Sequence, residues 1–407
     1  MILKITDGVT TVILNDDNGT PTAPLLGARY FPRDTGTGAT VTETADVAFN
    51  GNNALLKTKA NTIERLLDQA KYSHLPTVYV EYHHQITGYP YRSPIVGGRV
   101  TWSEERPLRE VYQGSAFGVM SVVFERANYW ESTISASLGV TAIKNGNNGQ
   151  YNFFNLADIE GSLPAPILVK MININGPLGT NKFYLNTDLG IGLSSNEYML
   201  AGGAITWGAN VNHSTRLFTA PIPTAVLEKS AGQHMHILAG FSSLVAGVLF
   251  LRGNIYTSLG GIHILAHAGN EKEVGFKKLI NLGVLPVPPG GIANADVAFA
   301  LSGYSANAGS ATLDFVQMMP ALNAVELTQT GYNLAINAFV VDDSANAESY
   351  YGTGDNRYNI INRSGGPLVV YPGRTNKLTI LFDEGASFTQ TRNLLVNVNY
   401  RPRWSTI

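Results

Sequence analysis

Cysteine is absent from this 407-residue chain. That removes disulfides, thiolate metal sites and thiol nucleophiles together, and suits folding in a reducing compartment. Charge is scarce too: charged residues make up 14% of the chain, against about 25% in ordinary soluble domains. Lys and Arg total 28, Asp and Glu 30, and no basic run is long enough to neutralise several phosphates, so nucleic-acid binding is not expected. Long apolar runs are also missing. The most apolar stretch, 239–251, is interrupted by Gly240, Ser242, Ser243 and Gly247 and falls short of the roughly 18–20 residues that span a bilayer, so membrane insertion is not expected either. Residues 1–8 read as a strand entering a turn and lack the apolar stretch of a secretory leader.

What is present points to β-structure. Hydrophobic residues make up 44% of the chain, and 42 glycines and 19 prolines are spread along it as turn punctuation, with no low-complexity tract. The length predicts two domains. Alternation over residues 2–6, then Asp7-Gly8 and an apolar run over 9–14, predicts a hairpin. A 3.6-residue period with Ile63, Leu66, Leu67 and Ala70 on one face predicts a helix, with Asn61 and Glu64 at capping-box spacing and Pro76 past its end. Residues 77–84, 95–102 and 118–126 read as strands around it. The turn-rich run 144–149 lies near a domain join, placed at residue 135.

Residues 136–407 form a succession of short apolar runs separated by Gly, Asn and Pro: 167–174, 182–185, 234–239, 248–256, 262–267, 297–301, 334–341, 368–371, 378–382 and 394–400. Such spacing predicts a β-sandwich or jelly roll. Residues 276–282 are expected to make at most one helical turn. The fold class is therefore mainly β: an N-terminal β-rich domain with one packed helix over 1–135, then a larger sandwich over 136–407.

Three stretches carry a resemblance. They are the helix 61–70; the strand 78–82 leading to Tyr91-Arg92-Ser93-Pro94-Ile95-Val96-Gly97-Gly98-Arg99-Val100; and the strand 119–126 followed by Asn128-Tyr129-Trp130-Glu131. Their order resembles the N-terminal domain of distal tail and related minor tail proteins of siphophages. Residues 161–166, 371–376 and 400–404 look like the start and finish of the sandwich domain in the same group. The resemblance implies a hexameric homo-oligomeric ring at the tail end that joins the tube to the tip, with other tail proteins as partners, assembled in the host cytoplasm and located in the virion. It also implies an N-terminal β-barrel-like domain on which the helix packs, and an outward galectin-like or carbohydrate-module-like sandwich, either architectural or able to bind a host surface glycan.

No catalytic constellation is visible. His234 and His236 share a strand face, as a metal pair requires, yet 237–252 contains no Glu or Asp to complete a cupin-like set, so they read as strand histidines. His83 and His84 point to opposite faces. His263 and His267 have helical spacing in a strand-like context. The acidic pairs Glu104-Glu105, Asp342-Asp343 and Asp383-Glu384 fall at strand ends, where carboxylates serve solvation and turns. No nucleophile elbow or phosphate-cradling loop occurs, so no enzyme activity, metal or cofactor is expected.

Two sets of binding residues remain. Tyr350, Tyr351, Asp355, Asn356, Arg357 and Tyr358 gather the aromatic and polar types that stack and hydrogen-bond a sugar. Arg92, Arg99, Glu104, Glu105, Arg106 and Arg109 concentrate mixed charge that would set subunit register in an oligomer. The leading expectation is a self-assembling tail component. The alternatives are a carbohydrate-binding tail-tip protein and a tail tube subunit with an added surface domain.

Overall fold

A computed structural model of the chain describes all residues except 18, 20, 33–37, 73, 85–88, 103–114, 145–152, 175–181, 193–197, 213–214, 246–248, 260–261, 275–278, 289–295, 330–333 and 384–392. The turn-rich run at 145–149 therefore lies outside the described residues. The chain divides into two compact units. Met1–Ala136, Glu160–Leu163 and Arg401–Ile407 form the first; Ser137–Ile159 and Pro164–Tyr400 form the second.

The first unit contains β1 (Ile2–Thr6), β2 (Thr11–Asp16), β3 (Leu25–Arg29), β4 (Thr40–Asn52), α1 (Asn53–Gln69), β5 (Tyr79–His83), β6 (Pro90–Trp102), β7 (Ser115–Ala127) and β8 (Trp130–Ser132). Antiparallel pairing orders the sheet β2-β1-β5-β6-β7-β4-β3, and it is nearly closed into a barrel. Its two end strands approach through Asn15, whose Oδ1 accepts from Ala28 N at 3.2 Å. The hairpin expected at Asp7-Gly8 joins β1 to β2, with Gly8 at φ +87° and Asp7 Oδ1 accepting from Thr10 N at 2.6 Å.

α1 begins at Asn53, well before the cap expected at Asn61. Leu56 and Ala60 are buried and extend the stripe of Ile63, Leu66 and Leu67, whereas Asn61 is exposed inside the helix. Asn and Thr are middling helix formers, but tertiary burial of one apolar face outweighs propensity. That stripe joins Leu3, Ile5, Val80, Val122 and Phe124 in a single core. Close approach of helix and sheet depends on Gly98, where a Cβ would lie 2.5 Å from Val123 O and 3.1 Å from Leu67 Cδ2.

Four further sheets build the second unit. Its strands are β9 (Ala136–Lys144), β10 (Phe153–Leu156), β11 (Ala165–Asn173), β12 (Lys182–Thr187), β13 (Met199–Trp207), β14 (Arg216–Pro221), β15 (His234–Val245), β16 (Phe250–Leu259), β17 (Ile262–Ala268), β18 (Lys272–Glu273), β19 (Leu279–Pro286), β20 (Asp296–Tyr304) and β21 (Gly309–Pro320). After these come β22 (Ala324–Gln329), β23 (Phe339–Asp343), β24 (Glu348–Thr353), β25 (Asn356–Tyr358), β26 (Ile361–Gly365), β27 (Val369–Val370), β28 (Asn376–Asp383) and β29 (Asn393–Tyr400). One short helix, α2 (Thr224–Lys229), buries Val226.

Sheets β25-β24-β23-β11-β29-β9 and β10-β28-β12-β22-β26 make one pair, from strands on either side of an insertion. β11 alternates buried and half-buried residues along its whole length. The two sheets are joined by Arg363 of β26, whose Nε donates to the buried Asp342 of β23 at 2.7 Å. The insertion is a sandwich of its own. Its sheets β13-β21-β15-β19 and β14-β20-β16-β17 contribute Ile237, Phe241, Leu282 and Val316 from one side and Leu251, Ile255, Phe299 and Leu301 from the other to one core.

The helical turn expected over 276–282 is not formed by Leu279–Leu282, which belongs to β19 and pairs with β15; residues 276–278 lie outside the described residues. A strand gives Ile280 and Leu282 the sandwich core and Leu279 the opposite face, a division that suits a two-sided strand. No helix among the described residues is long and apolar enough to cross a membrane.

Candidate functional site

The first unit presents a broad outer sheet face. β4, β6 and β7 are each 13 residues long, and β4 pairs with β7 without a register break from Thr40↔Ala127 to Asn52↔Ser115. Because side chains alternate across a strand, Val47, Val122 and Phe124 face the core while Thr42, Asp46, Val119 and Glu125 stand outward. Arg99 lies opposite Val123, and Ser121 donates to Asp46 at 2.7 Å. Val96 and Val119 are 39% and 44% exposed on this face. A groove of about 480 Å³ is lined by Val96, Gly97, Arg99, Lys71, Val123 and Glu125, among others. The face thus combines exposed valines with both signs of charge.

Arg92 and Arg99 sit on the same strand but in different surroundings. Arg99 is exposed. Arg92 is largely enclosed: its Nε and Nη2 both donate to Glu131 Oε1, at 2.9 and 2.8 Å, and its guanidinium lies 4.0 Å from the Tyr79 ring. The other oxygen of Glu131 accepts from Arg403 Nε and Nη2 at 3.3 and 3.2 Å, and Arg403 stacks 3.9 Å from Tyr129. One carboxylate therefore binds two arginines, each resting on a tyrosine, an arrangement that fixes planar guanidinium groups. Glu104, Glu105, Arg106 and Arg109 lie outside the described residues.

The same cluster accounts for the chain's last segment. Residues 400–404 resemble the finish of the sandwich domain, yet Arg401–Ile407 belongs to the first unit. Arg403–Trp404 forms β30, which pairs with β8 in the register Arg403↔Glu131 and Trp404↔Trp130. Trp404 packs edge-on against Tyr91, with ring centroids 5.3 Å apart, and Arg403 O accepts from Ser162 N at 2.8 Å. Nothing local in Tyr-Arg-Pro-Arg-Trp distinguishes a partner 272 residues away, so this pairing was beyond sequence reasoning.

All six candidate sugar-binding residues fall in one hairpin of β24 and β25. Gly354, at φ +55°, makes its turn, and Asp355, Asn356, Arg357 and Tyr358 are exposed. The tyrosines divide between two faces. Tyr351 is buried and pairs across the strands with Tyr358, ring centroids 5.9 Å apart. On the other face Arg357 lies 3.9 Å from the Tyr350 ring and forms an ion pair with Glu348. Tyr350 is thus covered by a guanidinium, and Tyr358, 43% exposed, is the aromatic of the set open to solvent.

The remaining polar candidates are structural. Asp342 is fully buried and accepts from Ser344 Oγ and Ser349 Oγ at 2.8 Å, besides Arg363. Asp343 closes a turn by accepting from Ala345 N at 3.0 Å. His236 is buried, whereas His234 is exposed at the strand start. His267 is exposed on β17. No group of three or more His, Asp or Glu able to hold a metal occurs among the described residues.

No protein-family model matches the chain, and no curated protein matches it. Among solved structures, the SPP1 Dit protein, described as a paradigm of hub adsorption apparatus in phages infecting Gram-positive hosts, aligns over 99% of this chain and 99% of its own. Identity is 6% and the TM-score 0.32. A chain of the phage P2 baseplate in its activated conformation with Ca aligns over 100% and 99%, at 9% identity and a TM-score of 0.30. An infectious bursal disease virus structure aligns over 67% of this chain and 82% of its own, at 10% identity and a TM-score of 0.17. At such TM-scores these alignments carry neither the fold nor the function.

Proposed function

We propose that the chain is a structural component of a bacteriophage tail, and that its first unit assembles with copies of itself into a ring that joins the tail tube to the tip. One observation carries the reading: the segments with the tail-protein resemblance, 61–70, 78–82 with 91–100, and 119–126 with 128–131, all belong to a single unit, on or beside α1, β5, β6, β7 and β8. The outer face of that unit supplies a surface suited to self-association. Val96 and Val119 offer apolar area, while Arg99 and Lys71 on one side and Glu125 and Asp46 on the other would penalise slipped registers.

The test is the mass and symmetry of the purified full-length protein, by light scattering and negative-stain class averages, with Val119→Glu alongside. Closed hexameric rings, lost in Val119→Glu while the monomer stays folded, are expected. A monodisperse monomer at all concentrations overturns the proposal, and stacked tubes in place of single rings assign the chain to the tube.

A second reading concerns the β24–β25 hairpin. Tyr358 offers a solvent-facing ring beside Asp355 and Asn356, the combination on which a pyranose stacks and hydrogen-bonds, so this tip is the place where a host surface glycan would bind. Glycan-array binding abolished by Tyr358→Ala is the expected result; equal binding by the variant, or none by the parent, removes this reading.

A further inference from the structure

The inserted sandwich has a second contact face within its own unit. Met199 of β13, Leu238 of β15, Leu279 of β19 and Phe315 of β21 pack against Tyr184 of β12 and Leu381 of β28. This seam joins sheet β13-β21-β15-β19 to sheet β10-β28-β12-β22-β26, making a third layer boundary beside the interiors of the two sandwiches. It is laced with polar groups. Gln317, 1% exposed, has neither amide atom hydrogen-bonded among the described residues, and its strand neighbours are Met199 and Leu238 of the seam. Thr379 Oγ1 on β28 is likewise buried without a partner among the described residues.

At the polar end of the seam lies a chain of side chains that spans it. His236 Nε2 is 3.0 Å from Asn281 Oδ1, Asn281 Nδ2 donates to Glu326 Oε2 at 2.9 Å, and Lys182 lies 3.4 Å from Glu326 Oε1. Because the Asn281 amide nitrogen is committed to a carboxylate, its oxygen faces the imidazole and also accepts from Gly283 N at 2.8 Å. Nε2 is therefore the protonated nitrogen. Nδ1 is buried with no hydrogen-bond partner among the described residues. From β12, Tyr184 packs on the ring at 6.2 Å and Lys182, paired with Glu326, supplies a cation; from β22, Glu326 is the acid; from β19 the facing group is the neutral Asn281, and on β21 the residue paired with His236 is the neutral Met319. On its own strand His236 has exposed His234 two residues away.

We propose that this seam is a hinge within the second unit that opens in acid, with His236 as the group that takes up the proton. The connections permit it. β12 and β22 are neighbours in one sheet, β13 and β21 in the other, so the chain enters and leaves the insertion side by side. One crossing is anchored by Asp188, which accepts from Lys377 N at 2.9 Å and from Gly190 N and Gly192 N at 3.2 Å. Protonation gives Nδ1 a buried hydrogen with no acceptor among the described residues, whereas opening the seam hydrates it. Polar-laced interfaces between domains are those across which relative motion is the ordinary expectation.

The direction in pH follows. Burial holds His236 below its ordinary value of 6.5, against the smaller raising effects of Asn281 and Glu326. Below about pH 6.5 an open or unfolded seam binds the proton more readily than the closed one, so closure weakens as pH falls and is fully retained above that value.

The absence of cysteine makes a direct test possible in the full-length chain. Single cysteines are introduced at Met199 in the seam, at Met318 in the sandwich core and at Val9, which is 90% exposed. Thiol-labelling rates are taken relative to Val9→Cys, which cancels the intrinsic pH dependence of the reagent. Between pH 7.5 and 5.5 the relative rate at Met199→Cys is expected to rise about tenfold, the equivalent of one pKa unit of coupling, while Met318→Cys stays protected. Adding His236→Gln or His236→Phe, two variants so that one folding failure is not decisive, should abolish the rise. No acceleration at Met199→Cys, equal acceleration at Met318→Cys, or a response that survives the removal of His236 overturns the proposal.

Discussion

The two faces of sheet β13-β21-β15-β19 differ in kind. One face meets β14-β20-β16-β17 through an apolar core, in which Phe241, Leu282, Phe299 and Leu301 are fully buried. The other meets β10-β28-β12-β22-β26 through a small apolar cluster flanked by His236, Asn281, Glu326 and Gln317. A dry core is held by area and packing density and resists opening anywhere. A seam with buried polar groups gains less per residue and gives water a reason to enter. The same sheet thus closes one joint permanently and leaves the other adjustable.

That contrast sets a scale of expected effects. Phe299→Ala in the dry core should cost about 3–5 kcal/mol, read as a lower urea midpoint for the second unit by circular dichroism; a loss below about 1 kcal/mol would mean the core is not continuous. Arg363→Met strands the buried Asp342 between its two sheets and should cost about 3 kcal/mol in the same measurement. Leu238→Ala in the seam should cost about 2 kcal/mol, because water can occupy the space left, and should raise thiol labelling at Met199→Cys already at neutral pH. Tyr358→Ala, on the exposed hairpin, should change stability by less than about 0.5 kcal/mol, so any loss of glycan binding there reads as lost recognition and not as unfolding.

The legible parts of the fold share one feature: their signal is local. The Asp7-Gly8 hairpin, the stripe Ile63-Leu66-Leu67, the alternation over β5 and the short apolar runs of β11 and β28 each lie within a few turns or one strand. β4 carries no clear strand signal because its outward Thr42, Thr44 and Asp46 dilute the apolar signal of Ala45, Val47 and Phe49. The first turns of α1 are not legible in the sequence, because Asn53, Thr58 and Asn61 look like a start or a loop until the core supplies a reason for Leu56 and Ala60 to be buried. Of the site residues, the Tyr350–Tyr358 stretch reads from its sequence as a loop; the cross-strand pairing makes it a hairpin and reveals that Arg357 covers Tyr350 and leaves Tyr358 open.

Composition and periodicity by themselves determined a mainly β chain without thiol chemistry, a first region built on one amphipathic helix and a longer region of short strands, because burial on one face imprints a period on the sequence. Tertiary structure alone decided that Arg403 returns to Glu131, that one sandwich is inserted into another, and that His236 faces a carboxylate across a seam. Those are pairings between distant segments, and a strand or a charged side chain carries no local mark of which remote partner it will meet.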